Sequence, residues 1–315
     1  MPTTHLIDFH CDTLTRYAPA PFSKEQALDH PRHVLALSAL PQGVGWAQFY
    51  AIYIPDFIRG TAAKRFFEKK QRLFYEQMET LGDKIAPCTT CEHMEEAWNL
   101  GKTAAFLAVE NGSVLCGDLS RVKLLAEGGV RAITLVWNGE NEIASGHTTQ
   151  HGLSDFGRLV VPEMEKNGIL VDVSHLNDVG FFEVLDLATK PFIATHSNAR
   201  AVCAHNRNLT DEMILEMIAR DCLIGLNYCK DFLKEKGEVT DLDDIYRHIS
   251  HFFDLGGQKN LALGSDFDGA SIPSYLNTPA KSASLYDYLL SRGVSETDTQ
   301  GILYQNGWNF LKANL

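Results

Sequence analysis

The chain has 315 residues, 45% apolar and 22% charged, ordinary proportions for a globular protein with a large core. A formal charge of −12 argues against a phosphate backbone as the main ligand, so no nucleic-acid partner is expected. No stretch approaches the roughly 18 apolar residues of a spanning helix, and residues 1–8 carry neither the basic nor the apolar region of a signal peptide, so no membrane association and a cytoplasmic location are expected.

Eight short apolar runs recur in chain order: Leu6–Phe9, Trp46–Ile54, Ala104–Val109, Ala132–Val136, Ile169–Val173, Phe192–Thr195, Leu223–Leu226 and Leu261–Gly264. Apolar runs without alternation suit strands buried on both faces, as in a parallel sheet. Between and after them lie segments of helical periodicity: Thr61–Leu81, Leu119–Glu127, Leu159–Asn167, Gly180–Ala188, Thr210–Ala219, Leu242–Asp254 and Ser295–Ala313. Eight strands alternating with helices predict an α/β fold, a (β/α)8 TIM-type barrel, with a doubly wound open sheet as the structural alternative. No linker, repeat or low-complexity tract divides the chain, so residues 1–315 read as one barrel domain.

The seven cysteines are an odd number and argue against a disulfide framework. Cys88 and Cys91 form a lone CxxC without the second ligand pair of a structural zinc site, and incidental thiols are expected.

In a barrel, chemistry gathers at the C-terminal ends of the strands. His10 and Asp12 end the first run, Glu110 the third, His175 the fifth, His196 the sixth and Asp266 the eighth. Each alone has a bland reading as a core histidine, a rim ion pair or a cap; five strands ending alike point to a metal site. In an extended strand the His10 and Asp12 side chains share one side and can reach one ion. A buried Glu110 requires a partner or a metal and can bridge two ions. Neutral imidazoles at His175 and His196 are common zinc ligands, and Asp266 is placed to act as a base toward water. Asp268, and His248 and His251 on a predicted helix, read as structural.

The segments Asp8–Asp12, Val109–Gly112, Gly129–Leu135, Asp172–His175, Thr195–Ala199, Asn206–Asn208 and Gly264–Gly269 together resemble the membrane (renal-type) dipeptidase family, zinc metallopeptidases of the amidohydrolase-like barrel type. The resemblance implies hydrolysis of dipeptides at two Zn2+ per chain. His10 and Asp12 would hold one ion, His175 and His196 the other, and Glu110 would bridge them, with a hydroxide between the ions as nucleophile. Asp266 would move the proton, and Arg207 would hold the substrate carboxylate through its guanidinium fork. Relatives are often homodimers. Other divalent transition metals suit the same nitrogen and oxygen donors.

One departure stands out. Where the family carries a histidine that contacts the substrate carbonyl, this chain has Trp137, followed by Asn138. The missing donor could come from Trp137, from Asn138 or Asn141, or from His147 or His151 in the loop that follows. An amidohydrolase acting on another small amide, such as an N-acyl amino acid or a lactam, is the alternative function. A barrel that binds metal without catalysis is a third reading, disfavoured because no expected ligand is lost.

Overall fold

The structure is a computed structural model that describes residues 5–16 and 28–315. The expectation for the N-terminal residues thus lies partly outside the described residues. The strands are β1 (His5–Cys11), β2 (Gly45–Tyr53), β3 (Ile85–Cys88), β4 (Thr103–Glu110), β5 (Val130–Thr134), β6 (Leu170–Asp172), β7 (Ile193–Ala194), β8 (Leu223–Leu226) and β9 (Leu261–Leu263). All pairings are parallel. They run β1–β2–β4–β5–β6–β7–β8–β9 and return to β1, closing an eight-stranded barrel. The fold is a (β/α)8 barrel, and each of the eight apolar runs contributes one barrel strand.

β3 is a ninth strand that the sequence pattern did not announce. It pairs with Thr103–Phe106 of β4, is four residues long and contains Pro87. Cys88 ends β3, and Thr90 caps the helix Cys91–Asn99 by accepting from His93 N. Both cysteines are buried, and burial raises both thiol pKa values. A helix at Pro279–Ser291 was likewise unforeseen, and the C-terminal helical segment is interrupted by a π turn at Gly301–Gln305.

Every barrel strand sends at least one side chain into a single interior cluster: Ile7 and Phe9, Ala47 and Phe49, Ala104 and Phe106, Ala132, Leu170, Ile193, Leu223 and Ala262. Phe9, Phe49 and Phe106 stack across β1, β2 and β4 with ring centroids 5.0 and 4.7 Å apart. The other strand faces pack under the outer helices in a second, larger cluster. This two-sided burial is why the strands read as unbroken apolar runs.

A bulge in β1 links the floor to the polar rim. Asp8 pairs with Gln48, but Cys11 pairs with Tyr50, so β1 holds one residue more than β2 over this stretch. Bulges re-aim neighbouring side chains. Here Phe9 joins the interior cluster, Cys11 joins the outer one, and His10 reaches the strand-end cluster described next. Among the described residues, no helix is long and apolar enough to cross a membrane.

Candidate metal centre

The C-terminal ends of β1, β4, β6, β7 and β9 bring His10, Asp12, Glu110, His175, His196 and Asp266 together, all buried or nearly so. His175 and Asp266 carry φ of 71° and 62°, a left-handed backbone that costs energy for non-glycine residues and gathers at functional sites. Local contacts hold these turns. Ser174 N donates to Asp172 Oδ1 at 3.0 Å, and Asn177 caps the next helix by accepting from Gly180 N. Gly269 leaves room for the carboxylates, because a Cβ there would lie 2.0 Å from Asp12 Oδ2 and 2.6 Å from Asp266 Oδ1.

Glu110 faces two ways. Its Oε1 lies 2.9 Å from His175 Nε2 and 3.7 Å from His196 Nε2, while its Oε2 lies 3.7 Å from His10 Nε2. His10 Nε2 is also 3.4 Å from Asp12 Oδ2 and 4.0 Å from Asp266 Oδ1. Ligand-type atoms of His10, Glu110 and His196 all lie within 4.8 Å of one another, as do those of His10, Asp12 and Asp266.

Two hydrogen bonds decide where the imidazole protons sit. Thr195 Oγ1 is 2.6 Å from Asp172 Oδ2 and donates to it, so the same oxygen accepts from His196 Nδ1 at 2.7 Å. Asn138 Oδ1 accepts from His175 Nδ1 at 3.1 Å. Both neutral rings therefore present a bare Nε2 lone pair. Those two atoms stand 3.0 Å apart, with Glu110 Oε1 beside them. A single proton cannot serve all three contacts; a cation can. Ligands of a tetrahedral zinc are roughly 3.3 Å apart, given metal–nitrogen distances of about 2.0–2.1 Å, and the observed separations straddle that value. His10 Nε2 and Asp12 Oδ1 are buried without hydrogen-bond partners, so the second half of the cluster also has donors to spare. The residues present fit divalent-metal binding.

The electrostatics agree. Burial pushes His175 and His196 well below the usual histidine range, helped by Arg207 and neighbouring histidines, so both rings are neutral. Burial would also lower His10, but Asp12, Glu110 and Asp266 overcome it and raise the ring to about 10. Burial and then Asp12 drive the Glu110 carboxyl well up, and burial raises Asp266. Three carboxylates thus share a buried space that is short of positive charge.

A cavity of about 520 Å³ opens over the cluster, a size suited to a small ligand. Asp12, Glu110, His175 and Asp266 line it together with Tyr53, Trp137, Asn138, Cys229 and Phe232. Trp137 stands edge-on to Tyr53 at 4.9 Å. Arg207 is only 3% exposed. Its Nη1 donates to Ser197 Oγ at 3.0 Å and its Nη2 to His196 O at 2.9 Å, while Nε is buried without a protein partner. With only two of its five N–H groups in these bonds, the guanidinium keeps capacity for an anion.

The possible stand-ins for the family histidine separate clearly. Asn141 is occupied, donating to Asn111 Oδ1 and Leu135 O and accepting from Ile143 N and Ala144 N. His151 is exposed beside Glu140. His147 lies 6.0 Å from the His175 ring with a buried, unpartnered Nδ1, and burial and Arg207 lower its pKa to about 4. Asp268 accepts from Thr13 Oγ1, Val34 N and Leu35 N, which ties the loop at residues 34–35 to the turn of helix that follows β1. His248 accepts from Ala199 N and contacts Leu233 O, and His251 pairs with Asp211.

Asn227, absent from the residues expected at the site, donates from Nδ2 to Asp266 Oδ2 at 3.1 Å. It directly follows the run Leu223–Leu226, so the strand-end signal used elsewhere would have found it. Tyr53 and Phe232 carried no comparable signal: Tyr53 lies within the apolar run Trp46–Ile54 and looks like core, and Phe232 ends no run.

The profile of the family described as membrane dipeptidase (peptidase family M19) matches residues 1–313. An uncharacterized protein encoded in the pqqA 5′ region of Klebsiella pneumoniae is 31% identical over 223 residues, 67% of this chain and 82% of that protein. The crystal structure of dipeptidase AC, a metallo peptidase of family M19, superimposes with TM-score 0.93 at 26% identity and covers 99% of both chains. A metallo peptidase from Rhodobacter sphaeroides, liganded with a phosphinate mimic of the dipeptide L-Ala-D-Ala, gives TM-score 0.93 at 26% identity, covering 99% of this chain and 100% of that one.

Proposed function

Since the chain belongs to the membrane dipeptidase family, peptidase family M19, and is a metallo-dipeptidase, we propose that it hydrolyses small dipeptides with two Zn2+ held by His10, Asp12, Glu110, His175 and His196. The observation that carries this reading is the two-faced Glu110, with one oxygen toward His175 and His196 and the other toward His10. When bound, the ions supply Lewis acidity, lowering the pKa of water and polarising a carbonyl.

The chain's own groups do the rest. Asp266, held at Oδ2 by Asn227, receives a proton from water at Oδ1 and passes it to the leaving amine, general base and then general acid. Arg207 binds the substrate's terminal carboxylate, and that remote contact positions the scissile bond. A longer peptide would carry its carboxylate past this point. Tyr53, Trp137 and Phe232 wall the cavity and exclude water. Asn138, which lines the cavity but accepts from His175, serves the ligand first.

The test pairs metal content by mass spectrometry with amino-acid release from L,L- and L,D-dipeptides, L-Ala-D-Ala included because a relative binds its mimic. About two zinc ions per chain and cleavage abolished by a chelator is the expected result. Two metals without dipeptide cleavage would move the substrate to another small amide. No tightly bound metal would overturn the reading.

A further inference from the structure

Beneath the ligand cluster lies a carboxylate that touches no ligand ring. Asp172 ends β6 and is fully buried. Four donors surround it. Oδ1 accepts from Ser174 N at 3.0 Å and Thr195 N at 2.9 Å, and Oδ2 accepts from Thr134 Oγ1 at 2.5 Å and Thr195 Oγ1 at 2.6 Å. These donors come from the ends of three neighbouring strands, β5, β6 and β7, and fill the acceptor sites of an ionised carboxylate.

We propose that Asp172 and Thr195 are positioning residues that together set the tautomer of His196 and its separation from His175, and thereby the affinity of the His175/His196 half of the centre. The inference rests on the metal reading above. Asp172 can only accept, so Thr195 Oγ1 spends its one proton there. The 2.6 Å contact to a carboxylate outcompetes the 3.4 Å contact to Ser174 Oγ. Thr195 Oγ1 can then only accept from His196, which fixes the proton on Nδ1 and leaves Nε2 free. The same carboxylate, through Ser174 N, shapes the turn that places His175 in its left-handed conformation. The hydroxyl thus acts as an adapter: the ligand histidine meets a carboxylate through Thr195 rather than directly, an outer-shell contact that orients the ring and raises its basicity. The backbone of Thr195 is equally confined, since a Cβ on Gly264 would fall 1.9 Å from its carbonyl oxygen.

The test compares the intact protein with Thr195→Val, nearly isosteric but without the hydroxyl, and with Thr195→Ser, which restores it. Zinc is removed with a chelator, and stepwise zinc affinity is measured by competition with a chromophoric chelator. The His196 tautomer is read from 15N shifts of histidine-labelled, metal-free protein. Thr195→Val is expected to weaken one of the two binding steps by about 10- to 100-fold, to leave the other within threefold, and to mix the His196 tautomers. Thr195→Ser is expected to restore both readouts. Two wild-type affinities in Thr195→Val, or equal weakening of both steps, would overturn the proposal, as would a valine defect that serine does not rescue. If Thr195→Val does not fold, the tautomer and affinities of Thr134→Val decide instead. That variant removes one donor to Asp172 without touching Thr195, and should give a smaller loss confined to the same step; no loss, or loss at both steps, would refute the proposal. Absence of zinc binding in the unmodified protein would instead count against the metal reading itself.

Discussion

Asn227 holds one oxygen of Asp266 and leaves the other free: Nδ2 donates to Oδ2 at 3.1 Å, while Oδ1 turns toward His10 at 4.0 Å. A base needs one anchored oxygen and one available one. Asn227→Ala should therefore lower kcat about tenfold, with KM changed much less, since alignment rather than binding is lost. Steady-state kinetics with a good dipeptide checks this; a pure KM effect would assign Asn227 to substrate binding.

Glu110→Gln replaces two anionic oxygens by one neutral oxygen and an amide that cannot serve as a second ligand. Metal and activity should fall together, to less than one tightly held ion per chain. Metal analysis after dialysis against a weak chelator measures it, and full occupancy would refute the bridge.

Arg207→Ala should raise KM for free dipeptides about 10- to 100-fold, the worth of charge-assisted bonds of about 1.5–3 kcal/mol. Arg207 also bonds Ser197 and His196 O, so a structural loss must be separated from a binding loss. Dipeptide amides do that. The wild type should discriminate strongly against the amide, and the variant should not.

Gly269→Ala should disable the His10/Asp12 half of the proposed centre without unfolding the protein, because the three atoms nearest the added methyl belong to the Asp12 and Asp266 side chains and not to backbone. The expected result is loss of at least one bound ion with Tm within a few degrees of wild type. A normal metal complement would show that the carboxylates can move aside.

His248 predicts a pH dependence away from the proposed metal centre. Burial lowers its pKa to about 4, the Leu233 carbonyl opposing and Arg247 and His251 assisting, against about 6.5 in the unfolded chain. Between those values the unfolded chain binds a proton that the folded chain does not, so stability rises with pH and is lost as pH falls through the window. The contribution is at most about 3.4 kcal/mol, at 1.36 kcal/mol per unit. Urea unfolding at pH 7 and pH 5 should show a smaller difference in His248→Gln than in wild type; an equal difference would assign the acid sensitivity to other groups.

The barrel was legible in the sequence because parallel strands covered on both faces must be apolar throughout, and that leaves runs such as Ala104–Val109 that need no partner to recognise. β3 escaped because four residues with a proline lack such a run, and the helix Pro279–Ser291 because its pattern is weak. The strand-end positions of His10, Asp12, Glu110, His175, His196 and Asp266 were equally visible, since a polar residue closing an apolar run is a one-dimensional signal. What only the tertiary structure decided is everything that depends on distance between strands: which Glu110 oxygen faces which histidine, that Asn138 turns to His175, that Asn227 anchors Asp266, and that Asp172 gathers three strand ends under the cluster. Residue type and local periodicity are written along the chain. The protonation of a ring or the free oxygen of a carboxylate depends on partners such as Asp172 behind Thr195, Asn138 at His175 and Asn227 at Asp266, which are distant along the chain and meet only when the barrel closes.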